Sequence, residues 1–158
     1  MRIPTPDQLG AILAAADDRF RAYVAVCALA GLRRGEASAL QVGDVDFLKR
    51  RICVARQVQR PDGRTVEIRL PKHGSERDVY VPDQLLQMLP ELIASGVRGP
   101  WLFSGAADNA PHESTIVERW RKACRDAGVS GTTLHDLRHY FASGLIASLC
   151  DVVTAQRP

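Results

Sequence analysis

The sequence predicts an α+β domain, mostly helical, with a small three-stranded antiparallel sheet on one side. Three observations carry this. Capped segments with apolar residues at helical spacing stand at both ends of the chain. Two β-branched runs flank the turn Arg60-Pro61-Asp62-Gly63-Arg64 near its middle. The 158 residues show no internal repeat or linker and suffice for one sizeable core.

Thr5-Pro6-Asp7-Gln8 combines a Thr cap, Pro at the first helical position and a Gln able to close a capping box. A helix therefore runs from about residue 6 to 15, with Leu9, Ile12 and Leu13 on its core face. A second helix, about 18–30, is apolar nearly all round after Tyr23, which makes it central and buried; Gly31 ends it. Gly31-Leu32-Arg33-Arg34-Gly35-Glu36 then places two arginines at the mouth of the core and starts a short helix. At least one arginine is expected to be partly buried, with Glu36 as its local partner or a bound phosphate as its functional one.

Residues 51–58 and 65–70 read as a hairpin around the Pro61-Asp62-Gly63 turn. A second turn, Pro71-Lys72-His73-Gly74-Ser75, leads to a third strand at about 77–81 and leaves Lys72 at an exposed tip. Pro82-Asp83 opens a helix whose Leu85, Leu86, Met88, Leu89, Leu92 and Ile93 read as plain core packing. Trp101-Leu102-Phe103 is a short buried segment. A helix at about 113–127 carries Arg119, Arg121, Lys122 and Arg125 and stops at Gly128.

The last helix begins at Leu134 or His135, capped by Thr133 with Asp136 three residues on. At about 100° per residue, Leu134, Leu137, Phe141, Leu145 and Leu149 share one stripe and Arg138 lies at its edge. His135 sits one turn before Arg138, so both can address one anion near the positive end of the helix.

Formal net charge is only +3, yet residues 49–77 hold nine basic side chains against Asp62, Glu67 and Glu76, a local excess of six. That distribution suits a polyanion. Cys27, Cys53, Cys124 and Cys150 are widely spaced in apolar surroundings, which fits buried thiols in a reducing compartment and neither a disulfide frame nor a zinc site. With no run of membrane-spanning length and no signal-peptide pattern, a cytoplasmic location without a membrane partner is expected. His135 and His139 have the spacing of a helical zinc pair, but Asp136 stands where the metalloprotease pattern has glutamate and no third ligand is evident. No metal is expected.

The collected set is Arg33, Lys72, His135 and Arg138. In the order Gly31-Leu32-Arg33-Arg34-Gly35-Glu36, Pro71-Lys72 with Ser75 and Arg77, and His135-Asp136-Leu137-Arg138-His139, the sequence resembles the catalytic domain of a tyrosine recombinase of the phage integrase family. The resemblance implies double-stranded DNA as partner, further recombinase subunits in a synaptic tetramer, and no cofactor. It implies that Arg33 and Arg138 clamp the scissile phosphate, that Lys72 protonates the leaving 5′-oxygen, and that His135 transfers a proton or holds the phosphate. Arg34, Ser75 and Arg77 would contact DNA.

In the family the pattern continues with a Leu-Gly-His segment, a second histidine or tryptophan and the tyrosine nucleophile, and a helical domain precedes it. Residues 1–158 hold neither, so the expectation is a partial catalytic domain that binds DNA and does not cleave alone. Tyr140 lies about 200° round the helix from Arg138, Tyr23 is in the buried helix and Tyr80 is in a strand. None is placed as a substitute nucleophile. The competing expectations are a non-catalytic DNA-binding module using the same basic surface and a metal hydrolase built on His135 and His139.

Overall fold

The computed structural model describes residues 1–71 and 76–155, with side-chain surroundings as far as residue 144 except at residue 106. Its elements run α1 (Pro6–Ala15), α2 (Asp18–Leu29), α3 (Arg34–Ser38), β1 (Val45–Asp46), β2 (Arg51–Val54), β3 (Gln57–Gln59), β4 (Glu67–Arg69), β5 (Arg77–Tyr80), α4 (Asp83–Ala94), α5 (Glu113–Asp126) and α6 (Leu134–Ala155). Among the described residues no helix is long and apolar enough to cross a membrane.

The helix boundaries follow local chemistry. At α1 the Thr5 hydroxyl accepts from the Gln8 amide at 3.2 Å and the Gln8 side chain accepts from the Thr5 amide at 3.0 Å, a closed capping box. At α2 the Asp17 carboxylate takes the Phe20 amide at 3.0 Å. From Phe20 to Ala28, α2 is buried at every position but Arg21, and α1, α3, α4 and α6 all pack around it. Tyr23 is sealed in the core, stacked on Phe20 and edge-on to Phe103. Its hydroxyl donates to or accepts from Ser38 Oγ and reaches the Arg34 carbonyl, both at 2.9 Å, which ties α3 to the central helix.

The sheet departs from expectation in its membership. The three-stranded antiparallel sheet is β1-β2-β5, while β3 and β4 form a separate two-stranded hairpin. The run 51–58 is thus two strands, and the hairpin contributes nothing to the larger sheet. The break has a physical cause. Ile52 and Val54 face the core, so Arg56 would be next on the same buried face. The chain turns at Ala55-Arg56 instead: Arg56 pairs with Asp44 at 2.6 Å, and the Gln57 side-chain Nε2 donates to the Leu70 carbonyl at 2.9 Å. β3 then runs beneath α3, so close that a Cβ at Gly35 would lie 2.9 Å from the Val58 carbonyl oxygen.

Candidate functional site

The site is assembled where α3 begins, where β5 enters the sheet, and where α6 begins. At α6 the Asp136 carboxylate accepts from the Thr133 amide at 2.7 Å and the Thr133 hydroxyl at 3.0 Å, which sets the helix start at Leu134. Trp120 Nε1 donates to the Thr132 carbonyl at 3.1 Å and pins the approach. Leu134 and Leu137 point into the core, with Phe141 half-buried beyond them; Leu145 and Leu149 lie outside the side chains described. That register turns His135 and Arg138 outward to one cleft. The cleft, of about 460 Å³, is lined by Leu32, Arg33, Arg34, Gly35, Gln57, Val58, Leu134, His135 and Arg138.

Arg33 and Arg138 therefore converge, although they are far apart in the chain. Among the described residues Arg138 meets no carboxylate; its Nη1 donates to the Gly31 carbonyl at 2.9 Å. Burial and then the neighbouring Arg33, with Arg77 adding least, press its pKa below the ordinary guanidinium value, against an opposing pull from Glu36. Arg33 is partly buried and touches Glu36 through Nη1 at 3.2 Å and through its backbone amide at 2.9 Å. Arg34 is exposed and pairs with Glu113, the first residue of α5.

Glu36 is wholly inaccessible to solvent. Both its oxygens are also held by Arg77, Nη1 and Nη2 each at 3.0 Å. Burial pushes this carboxyl up, but the bonds from Arg77 and from the Arg33 amide outweigh it and hold the group below the ordinary carboxylate range. A depressed folded-state pKa makes the stabilisation complete above the unfolded value of about 4.3 and lost as pH falls through the lower folded value. Below that unfolded value the thermal midpoint of the protein should fall with pH, and the slope should be shallower in Glu36→Gln. Equal slopes would show that Glu36 is not the group responsible.

Among the expected site residues, Arg33, Arg34, His135 and Arg138 line the cleft, and Arg77 and Arg138 share an adjoining recess of about 200 Å³. Lys72 and Ser75 lie outside the described residues. His135 and His139 stack edge-to-face with ring centroids 5.1 Å apart. No group of three or more His, Cys, Asp or Glu side chains able to hold a metal occurs among the described residues. Two contributors are not evident from the sequence. Gln57 lines the cleft from β3, and only its polarity inside a β-branched run marks it out. The Gly31 carbonyl holds Arg138, and a backbone acceptor carries no residue-type signal.

The tyrosines lie elsewhere. Tyr23 is buried and raised well above its ordinary pKa, first by burial. Tyr80 is exposed on β5 under the Arg50 guanidinium. Tyr140 is partly buried against the core, and no tyrosine lines the cleft.

The sequence matches the Phage integrase family over residues 3–157. It is 30% identical over 145 residues to a protein of Mycobacterium tuberculosis (strain ATCC 25618 / H37Rv) named "Putative prophage phiRv2 integrase", covering 88% of this chain and 38% of that protein. It is 28% identical over 146 residues to the ICEBs1 integrase of Bacillus subtilis (strain 168), covering 85% and 39%. Among solved structures, the XerA recombinase superposes with a TM-score of 0.73 at 25% identity, over 92% of this chain and 51% of the other. The chain thus spans between about a third and a half of the length of these relatives. A profile match over nearly the whole chain, together with the convergence of Arg33, His135 and Arg138 on one cleft, makes this chain a member of the phage integrase family, with the fold of a tyrosine recombinase catalytic domain.

Proposed function

We propose that this domain binds double-stranded DNA and seats one backbone phosphodiester in the cleft between Arg33, His135 and Arg138, for site-specific cleavage and rejoining through a phosphotyrosine intermediate. The observation that carries the reading is charge. Among the described residues Arg33, Arg77 and Arg138 gather around the single carboxylate of Glu36, so three guanidinium charges less one carboxylate leave an excess of two on the cleft and its wall. A phosphate is the matching anion, and paired guanidinium forks stabilise the charge that grows on its non-bridging oxygens as it is attacked. DNA-bound recombinases of the same fold support the choice of partner; one is the Tn1549 transposon integrase in complex with transposon right end DNA, with a TM-score of 0.75 at 22% identity.

In this reading Arg33 and Arg138 clamp the phosphate, His135 holds it or moves a proton, and Lys72 protonates the leaving 5′-oxygen; Arg34 and Ser75 add DNA contacts. The attack conserves the phosphodiester bond energy in the phosphotyrosyl link, and the reaction uses protein groups for its acid and base steps. Exchange between two duplexes breaks four strands, which calls for four cradles and hence partner subunits in a tetramer. The work is done in the cytoplasm.

Because Tyr23, Tyr80 and Tyr140 all lie off the cleft, the polypeptide of residues 1–158 serves as a partial catalytic domain that holds DNA and forms no covalent link unaided. Fluorescence anisotropy with a labelled duplex tests the first half: affinity should fall with salt, and Arg33→Ala and Arg138→Ala should each weaken it about tenfold, against less than about threefold for the turn residue Arg64→Ala. Equal losses at all three positions would favour a non-catalytic module that uses its basic surface indiscriminately. A suicide substrate tests the second half, and a protein-DNA adduct on a denaturing gel would sink it.

A further inference from the structure

Glu36 has room for about four hydrogen bonds and all four are filled. Two come from Arg33, through its amide and Nη1, and two from the Arg77 fork. Arg77 reaches Glu36 from across the domain: its backbone is set by the sheet, where it pairs with Val54 of β2. Arg33 spends one side-chain nitrogen on Glu36 and, among the described residues, keeps the rest of its fork for the cleft. Arg77 spends both terminal nitrogens.

We propose that Arg77 is a positioning residue that works through Glu36: by occupying both carboxylate oxygens, it prevents Arg33 from folding back into a two-pronged pair with Glu36 and so leaves Arg33 aimed at the phosphate. The physical reason is competition. A buried carboxylate takes the best available fork, and a planar guanidinium matches it in bidentate geometry. With Arg77 gone, Arg33 is the nearest replacement and is drawn off the cleft. Among the described residues the other groups near Glu36 do not substitute: Arg138 is engaged by Gly31, and the Cys27 thiol is kept protonated, pushed up to about 12 by burial and by Glu36 itself.

This inference rests on the reading of the cleft as a phosphodiester site, and the test separates the two. Duplex binding by anisotropy and the Arg33 Nε–Hε NMR signal, assigned through Arg33→Lys, are followed in wild type, Arg77→Met and Arg77→Met/Glu36→Gln. Arg77→Met should bind about tenfold more weakly. Losing Arg77 removes the strongest bonds that hold the Glu36 carboxyl down and leaves burial, which pushes it up, so relative to wild type the affinity should recover as pH falls toward about 5 and protonation of Glu36 releases Arg33. Its Arg33 signal should titrate in step. The double variant, with a neutral amide at position 36, should return to within about threefold of wild type and lose the added pH dependence.

The proposal is overturned if the double variant stays tenfold down with a salt slope reduced by about one and an Arg33 signal that never moves, since Arg77 would then touch a phosphate directly. If Arg77→Met does not fold, Arg77→Lys, which keeps the charge but has no fork, is read by the same criteria. Failure of wild type to bind DNA would strike the phosphodiester reading, while the Arg33 titration would still decide whether Arg77 acts through Glu36.

Discussion

Glu36→Ala should unfold at a markedly lower urea concentration than wild type, with a loss of about 3 kcal/mol at neutral pH. The magnitude follows from asymmetry. A buried ion pair is weak evidence of net stability, yet removing one partner strands the other, at a cost of about 3–5 kcal/mol when both are deeply buried. Here the stranded groups are Arg33 and Arg77, whose side chains keep 35% and 29% of their exposure, so water recovers part of the loss and the low end applies. Removing the carboxylate also leaves Arg33, Arg77 and Arg138 repelling one another. Glu36→Gln, which keeps the shape and one acceptor, should lose roughly half as much. The midpoint should move without a change of denaturant slope. A loss below about 1 kcal/mol in Glu36→Ala would mean that the carboxylate is not the hub.

Gly31→Ala should be the second most damaging change, at about 2–3 kcal/mol. Gly31 ends α2 at φ +70°, where any L side chain costs about 1–2 kcal/mol. A Cβ there would also stand 2.3 Å from the Phe141 ring, which presses on this glycine from α6. Either the ring or the helix must shift, and Arg138 moves with it because its anchor is the Gly31 carbonyl. DNA affinity should therefore drop together with stability. The check is a double-variant cycle: in Gly31→Ala/Phe141→Ala the overlap vanishes and only the backbone strain remains, so the combined loss should fall short of the sum of the two. Strict additivity would show that the ring does not press on this position.

Much of the site is legible in the residue types and their spacing. Arg33, His135 and Arg138 stand out because arginines and a histidine beside apolar helix faces need an anion, and they do line one cleft. Glu36 is visible as a local partner of Arg33 because three residues is helical reach. Its bond to Arg77, 41 residues on, is not. The hairpin turn is readable from Asp62, whose carboxylate accepts from the Arg64 and Thr65 amides and the Thr65 hydroxyl and is drawn down to about 2 by those bonds. The partners of its strands are not readable, because pairing is set by which faces find a core and not by the strand's own residues.

By itself the sequence determined the local features: where helices start, through Thr5 and Thr133; where α2 stops, through Gly31; which faces are apolar; and which side chains carry charge. Caps, turns and periodicity act over one or two turns of chain, so the residues that decide them are neighbours in sequence. Only the tertiary structure decided that the run 51–58 splits at Arg56, that Arg77 spends its fork on Glu36, and that the Gly31 carbonyl takes Arg138. Each of those depends on groups brought together from distant elements to satisfy buried charge, and that satisfaction is a property of the packed interior, where an unpaired charge or strand edge costs more than any local preference returns.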